Sequence, residues 1–238
     1  MGEDESKKTD AKKETIEEIM RERSRIDQII KQKYRKKMTI LFSDVCGFTT
    51  YTETKGDLSS RAWIQQHNDI VLPLIKNHDG KILKIMGDGV LSSFADTLLA
   101  VKASVAIQKS LVNYNKSTDP EDEIHVSMGI NTGEILVDDE DIAGDVVNVA
   151  SRIESKADRD QILISKSTYE EVRGSEDILC RLYGNVSVKG KAKPLELYQV
   201  VWQDEDIILS SEPRVRSDEK IEKRKTVSHL KILQLEGV

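Results

Sequence analysis

The chain has 238 residues, of which 38% are hydrophobic, enough for one domain of ordinary size with flanking segments. Its 36 Lys and Arg residues against 42 Asp and Glu residues give a net charge of −6, which excludes a general electrostatic attraction to nucleic acid. No apolar run approaches the roughly 20 residues that span a bilayer. We therefore expect a cytoplasmic protein with no membrane span and no nucleic-acid partner.

The N-terminal segment divides into two parts. Residues 1–13 are polar and charged, and we expect them to be disordered. Over residues 14–36, apolar residues recur at spacings of three and four, which predicts a coiled-coil-like helical linker; they are Ile16, Ile19, Ile26 and Ile30. Arg23 and Lys33 interrupt this seam, so pairing through the helix alone would be weak. The segment is either a helix that couples the domain to an upstream sensor or a solvated linker.

Residues 37–202 carry the pattern of an α+β domain. A strand is predicted at residues 38–42 and an amphipathic helix at residues 60–77. Two apolar runs, residues 81–86 and 90–94, are joined by Gly87-Asp88-Gly89, a strong hairpin signal. A helix over residues 96–115 and a strand over residues 124–130 complete the order β, α, β, β, α, β of the ferredoxin-like split motif.

Further elements follow this motif. The sequence predicts a short strand at residues 134–137, a helix at 144–156, a strand at 162–164, and two late strands near Val186 and Tyr198. The connection between Gly133 and Asp141 is short and acidic. Residues 203–238 are charged and low in aromatic residues, so we expect a disordered tail.

Two acidic residues lie at predicted turns that contain glycine. Asp44 lies in the segment FSDVCGFT, residues 42–49, where the first strand ends, and Asp88 lies at the hairpin tip. In a βαββαβ unit these two points can lie side by side, so the acids would repel unless cations neutralise them. Such a pair suits Mg²⁺ or Mn²⁺, and two ions can clamp a phosphoryl displacement. Either acid taken alone is equally well explained as an ordinary turn residue.

Three polar residues have both a functional and an ordinary explanation. Asn148 and Arg152 are four apart in a predicted helix, hence on one face, and could contact a sugar and a phosphate. Taken alone, they are better explained as a solvated polar stripe. Lys84, four residues before Asp88, is by itself typical of an edge-strand lysine that discourages aggregation. The histidines are interpreted as structural or solvent-facing.

Taken together, these segments resemble the catalytic domain of class III adenylyl and guanylyl cyclases over about residues 37–202. Three separated motifs in the same order and spacing carry the resemblance. It implies the fold of that family, a ferredoxin-like βαββαβ core with additional C-terminal strands and helices. It also implies that Asp44 and Asp88 bind two Mg²⁺ or Mn²⁺ ions per active site, with Val45 lending a backbone carbonyl.

The resemblance further implies that the substrate is ATP. Lys84 and Asp141 match the positions that contact the base: Lys donates to adenine N1 and an ionised Asp accepts from the 6-amino group, whereas guanine presents the opposite pattern. Asn148 matches the amide that orients the ribose. Arg152 matches the guanidinium that stabilises charge on the α-phosphate during attack of the 3′-hydroxyl. Lys189 matches a late lysine that holds the terminal phosphates.

The resemblance also implies a composite active site. In this family the metal acids come from one protomer, and the residues that contact base, ribose and α-phosphate come from its partner. Because this chain carries both sets, the resemblance implies a homodimer with two equivalent sites that make cyclic AMP and pyrophosphate. The short connection between Gly133 and Asp141 departs from longer family members and bears on dimer affinity.

Three other interpretations stay open from the sequence. The first is a guanylyl or relaxed-specificity cyclase, against which Lys84 and Asp141 argue. The second is a catalytically silent regulatory homologue, which usually lacks a metal acid or the arginine. The third is an interaction module assembled through the N-terminal helix. The sequence has neither a GxxxxGK[ST] segment nor the signature of diguanylate cyclases, which disfavours both of those classes.

Overall fold

Eight strands form one mixed sheet at the centre of a computed structural model, which describes residues 15–138, 141–143, 145–187 and 193–203. The side chains of residues 30–32, 136–138 and 141–143 lie outside this description. The chain divides into two compact units, Met1–Val200 and Val201–Val238. Only the first three residues of the second unit are described. The predicted disordered ends, residues 1–13 and 203–238, lie outside the described residues except for residue 203.

Six helices and eight strands are present in the described parts of the chain. The helices are α1 Ile16–Tyr34, α2 Phe48–Lys55, α3 Asp57–Asn77, α4 Thr97–Asn115, α5 Asp145–Glu154 and α6 Lys166–Val172. The strands are β1 Arg35–Val45, β2 Lys81–Met86, β3 Gly89–Phe94, β4 Val126–Asp138, β5 Asp141–Ala143, β6 Ile162–Ser165, β7 Leu179–Val186 and β8 Leu195–Val201. The sheet order is β2-β3-β1-β4-β6-β8-β7, with β5 paired to β4. This arrangement confirms the predicted α+β class.

Strand β5 was not predicted from the sequence, and three other elements also differ from the prediction. Helix α2 was not predicted because it has no buried residue and therefore no apolar stripe. Helix α6 was not predicted either, since seven residues are too few to show a helical period. Strand β4 is continuous, where the sequence predicted two strands separated near residues 131–133. The break is absent because β4 pairs along the whole of β1, from Val45 opposite Val126 to Arg35 opposite Leu136.

The two faces of the sheet are covered by different helices. Successive residues of β1 alternate between the faces. Thr39 has its hydroxyl 2.9 Å from that of Thr97 in α4, and α3 packs beside α4 on this side. Ile40 instead packs in an apolar cluster with Val146 of α5. Asp44, four residues after Ile40, therefore lies on the α5 face.

Helix α5 approaches the sheet closely at Gly129 of β4. A Cβ added there would lie 2.2 Å from the backbone nitrogen of Glu154 and 2.5 Å from the carbonyl oxygen of Ala150. Backbone atoms cannot move aside by a rotamer change, so this position requires glycine. The absence of a side chain at Gly129 thus sets how near α5 lies to the strands that carry the candidate site.

Helix α1 begins at a capping box. The Thr15 hydroxyl accepts from the backbone N–H of Glu18, and the Glu18 carboxylate accepts from the backbone N–H of Thr15. The seam residues Ile16, Ile19 and Ile26 are 76%, 53% and 46% exposed. The described part of the chain therefore leaves the predicted seam uncovered. None of the described helices is both long and apolar enough to cross a bilayer.

Candidate active site

The two predicted metal acids are brought together by the pairing of β1 with β3. Asp44 lies opposite Gly89, the residue that follows Asp88. A Cβ added at Gly89 would lie 3.1 Å from Asp44 Oδ1, so the carboxylate rests against the start of β3. The hairpin turn consists of Gly87 and Asp88, because Met86 already pairs with Gly89. Only Gly87 of the two has a positive φ, +64°, as a type II′ turn requires.

The acidic pair is electrostatically uncompensated within the described chain. Burial and, to a smaller extent, repulsion from Asp88 together raise the pKa of Asp44 to about 6. Among the described residues, neither carboxylate has a hydrogen bond or an ion pair. No group of three or more His, Cys, Asp or Glu side chains in the described ranges is arranged to hold a metal by itself. Two adjacent carboxylates that no side-chain cation neutralises are suited to bind a divalent ion. Phosphate oxygens of a substrate can then be further ligands of that ion.

Lys84 lies on the same face of the sheet as Asp44. It pairs with Leu91, which in turn pairs with Phe42, two residues before Asp44. A bulge between Ile82 and Lys84 shifts the register of β2 and sets this placement, which alternation alone left open. The lysine is exposed on the edge strand β2, and β3 lies between this strand and β1, which carries Asp44.

Asn148 and Arg152 lie on the outward side of α5. The inward side of the helix is buried against the sheet, through Val146, Val149, Ala150, Ile153 and Glu154. Asn148 is exposed and Arg152 is half-buried. Neither side chain has a hydrogen bond or ion pair with another described residue. The helix therefore presents an amide and a guanidinium away from the core of its own chain.

The remaining predicted residues are described in part or not at all. Asp141 begins strand β5 and pairs with Asp138, but its side chain lies outside the description. Lys189 lies outside the described residues. Val45, whose backbone carbonyl is the expected metal ligand, is 2% exposed and pairs with Val126 at the end of β1.

One acid that the sequence did not single out lies beside the pair. Glu154, the last residue of α5, is 9% exposed and accepts a 2.7 Å hydrogen bond from Ser127 Oγ. Burial, with a smaller contribution from repulsion by Asp44 and Asp88, raises the pKa of Glu154 to about 7, although the hydrogen bond from Ser127 lowers it. The sequence signal that could have identified Glu154 is its position, as a charged residue, in the buried stripe of an amphipathic helix.

The histidines lie in different surroundings. His67 is 1% exposed in α3, with Nδ1 3.1 Å from Asn68 Oδ1, and burial lowers its pKa. His125 precedes β4 rather than lying within it, and its ring nitrogens contact the carboxylates of Asp160 and Glu123. Both histidines thus have polar partners within the fold.

The fold and this arrangement of acids define a nucleotide cyclase domain. Residues 30–201 match the family model described as the adenylate and guanylate cyclase catalytic domain, and the chain belongs to this family. A Rhizobium meliloti protein named for adenylate cyclase is 31% identical over 172 residues, 72% of this chain and 29% of the relative. The adenylate cyclase of Anabaena cylindrica is 29% identical, over 69% of this chain and 37% of its own length. The chain thus spans only about a third of these relatives.

Solved structures show the same fold. The adenylyl cyclase CyaB from P. aeruginosa is 31% identical and superposes with a TM-score of 0.66, covering 72% of this chain and 97% of that one. The guanylyl cyclase Cya2 is 28% identical with a TM-score of 0.60, over 70% of this chain and 92% of its own. These likenesses confirm the class III cyclase fold, which both specificities share.

Proposed function

We propose that this domain is an adenylate cyclase, which converts ATP to 3′,5′-cyclic AMP and pyrophosphate. The observation that carries the proposal is the adjacent pair of carboxylates, Asp44 and Asp88, in a chain of the cyclase family. The curated relatives described above carry adenylate cyclase names, which supports ATP as the substrate. ATP is a cytoplasmic metabolite, so we place the activity in the cytoplasm.

The acidic pair fits the divalent cations that the family implies. Burial and mutual repulsion raise the pKa of Asp44, and no described side chain supplies a neutralising cation. Asp44 and Asp88, with the backbone carbonyl of Val45, would hold two Mg²⁺ or Mn²⁺ ions. When bound, these ions polarise phosphate oxygens and stabilise negative charge.

Helix α5 supplies the groups for the sugar and the reacting phosphate. Asn148 orients the ribose so that its 3′-oxygen can bond to the α-phosphorus, as the hydroxyl proton passes to water and the bond to the leaving pyrophosphate oxygen breaks. Arg152 stabilises the charge that develops on the α-phosphate oxygens. Lys189 is proposed to hold the terminal phosphates.

Two side chains set the choice of base. The Lys84 ammonium can only donate, which suits the adenine N1 acceptor. An ionised Asp141 can only accept, which suits the adenine 6-amino group. Guanine presents a donor at N1 and an acceptor at O6, so each contact would be repulsive. The exposed position of Lys84 on the face that carries Asp44 supports this role.

A symmetric homodimer would complete each site. Asn148 and Arg152 face away from their own core and have no partner among the described residues, which supports their use in the site of a second copy. A twofold axis would bring α5 of each protomer to Asp44 and Asp88 of the other. The uncovered seam of α1 supports a parallel contact that could couple the domain to an upstream sensor.

The direct test is turnover with a defined metal. Purified protein with Mn²⁺ is given ATP or GTP, and cyclic nucleotide and pyrophosphate are followed. Cyclic AMP should far exceed cyclic GMP, and Asp88→Ala should abolish both products. Asp119→Ala, which removes an exposed acid in the loop after α4, is the matched control and should keep full activity.

A silent regulatory homologue is the second candidate. Retention of both metal acids and of Arg152 argues against it, since such homologues usually lose one of them. A folded dimer that makes neither product from ATP nor from GTP would favour it.

A further inference from the structure

A third acid lies close to the proposed metal acids without an assigned task. Glu154 is 9% exposed, and the Ser127 hydroxyl donates to its Oε1. Carboxylates buried to this degree usually have a cationic partner. No lysine, arginine or histidine among the described residues forms an ion pair with Glu154. The fold therefore keeps a carboxyl group at this position without neutralising it.

The pairing of the strands fixes where this group lies. Ser127 is directly opposite Asp44 in the β1–β4 ladder, so both side chains are on the α5 face. Gly129, two residues further along β4, allows the end of α5 to approach the strand. Glu154 thus meets the sheet at Ser127, beside Asp44 and on the same face.

The three acids repel one another. Asp44 and Asp88 both act on Glu154 and raise its pKa beyond the effect of burial. Among the described residues, the hydrogen-bond partner of the Glu154 side chain is the neutral Ser127, whose bond lowers the pKa of Glu154, and the charges that act on it are those of Asp44 and Asp88. None of these groups carries a positive charge that would neutralise Glu154.

We propose that the charge of Glu154 strengthens cation binding at Asp44 and Asp88 of the same protomer, and that Ser127 holds the carboxylate in place. The proposal rests on the metal site of the proposed function. A third negative charge that does not itself ligate the ion attracts the cation through the half-buried medium between them, where screening is weak. Glu154 is then a positioning residue that acts on the metal rather than on the nucleotide.

Two substitutions separate this role from a structural one. Glu154→Gln removes the charge but keeps an oxygen that can accept from Ser127. Glu154→Asp keeps the charge but shortens the side chain and strains the hydrogen bond. An electrostatic role predicts weak cation binding for Gln and nearly normal binding for Asp. A purely structural role predicts the reverse order.

The experiment is a Mn²⁺ titration of the whole chain without nucleotide at pH 8, in which electron paramagnetic resonance reports free Mn²⁺. Asp44→Asn serves as the variant that lacks a metal acid, and circular dichroism checks that each variant is folded. We expect Glu154→Gln to weaken Mn²⁺ binding by about fivefold or more, and Glu154→Asp to weaken it by less than about twofold.

The outcomes separate the two proposals. If the wild type binds Mn²⁺ and Asp44→Asn does not, but Glu154→Gln binds as the wild type does, the role of Glu154 is overturned and the metal site stands. If Asp44→Asn binds Mn²⁺ as tightly as the wild type, the metal site itself is wrong and the role of Glu154 falls with it.

Discussion

Replacing Gly129 with alanine tests how α5 is held against the sheet. The added Cβ would lie 2.2 Å from Glu154 N and 2.5 Å from the Ala150 carbonyl oxygen, both backbone atoms of α5. Restoring ordinary van der Waals separation requires the helix to move by roughly 1 Å. Over-packing costs about 1–3 kcal/mol, and a clash with backbone belongs at the upper end. For a domain of this size, we expect Tm to fall by about 6–12 °C.

The same shift should reduce catalysis in protein that is still folded. Helix α5 carries Asn148 and Arg152, and displacement of a positioning group by about 1 Å can lower turnover by roughly 100-fold. Thermal unfolding and cyclic AMP formation at 25 °C measure the two effects. The control is Gly174→Ala, where an added Cβ meets no atom within 4 Å. Equal Tm and turnover for Gly129→Ala and Gly174→Ala would refute the close contact between α5 and β4.

Three further predictions concern the candidate site. The pKa of Asp44, about 6 when folded against 3.8 ordinarily, means that the native state holds the proton more tightly, so stability falls as pH rises from about 4 to 6. In the absence of metal, Asp44→Asn does not lose stability in this way, so the difference in Tm between this variant and the wild type should increase by several degrees from pH 4 to pH 7. A difference in Tm that stays constant over this range would contradict the burial of Asp44. Asp44→Ala and Arg152→Ala should each be nearly inactive, yet an equal mixture should recover about a quarter of wild-type turnover, since half of the dimers have one intact site. No recovery despite confirmed mixed dimers would rule out the composite site. Lys84→Glu combined with Asp141→Cys should lower cyclic AMP formation from ATP by about tenfold or more and raise the ratio of GTP to ATP turnover; an unchanged ratio would exclude these residues as the contacts to the base.

Local signals in the sequence predicted the elements that build the site. The Gly-Asp-Gly segment predicted the β2–β3 hairpin, although the turn residues are Gly87 and Asp88, and Gly89 already belongs to β3. Asp96, the first residue of the helix predicted over residues 96–115, caps α4 by accepting from the backbone N–H groups of Leu98 and Leu99. These features depend on residues that are neighbours in the chain, so a sequence can reveal them.

The sequence by itself determined the family, the α+β class, and the residues expected to carry the chemistry, because motif order and spacing along one chain specify them. Only the tertiary structure decided that Asp44 faces the start of β3, that Lys84 shares its face, and that Glu154 lies beside Ser127, 27 residues earlier. The physical reason is that strand register, a bulge and close packing at Gly129 join residues far apart in the chain. The charge environment of a buried acid follows from those contacts, and no local pattern encodes it.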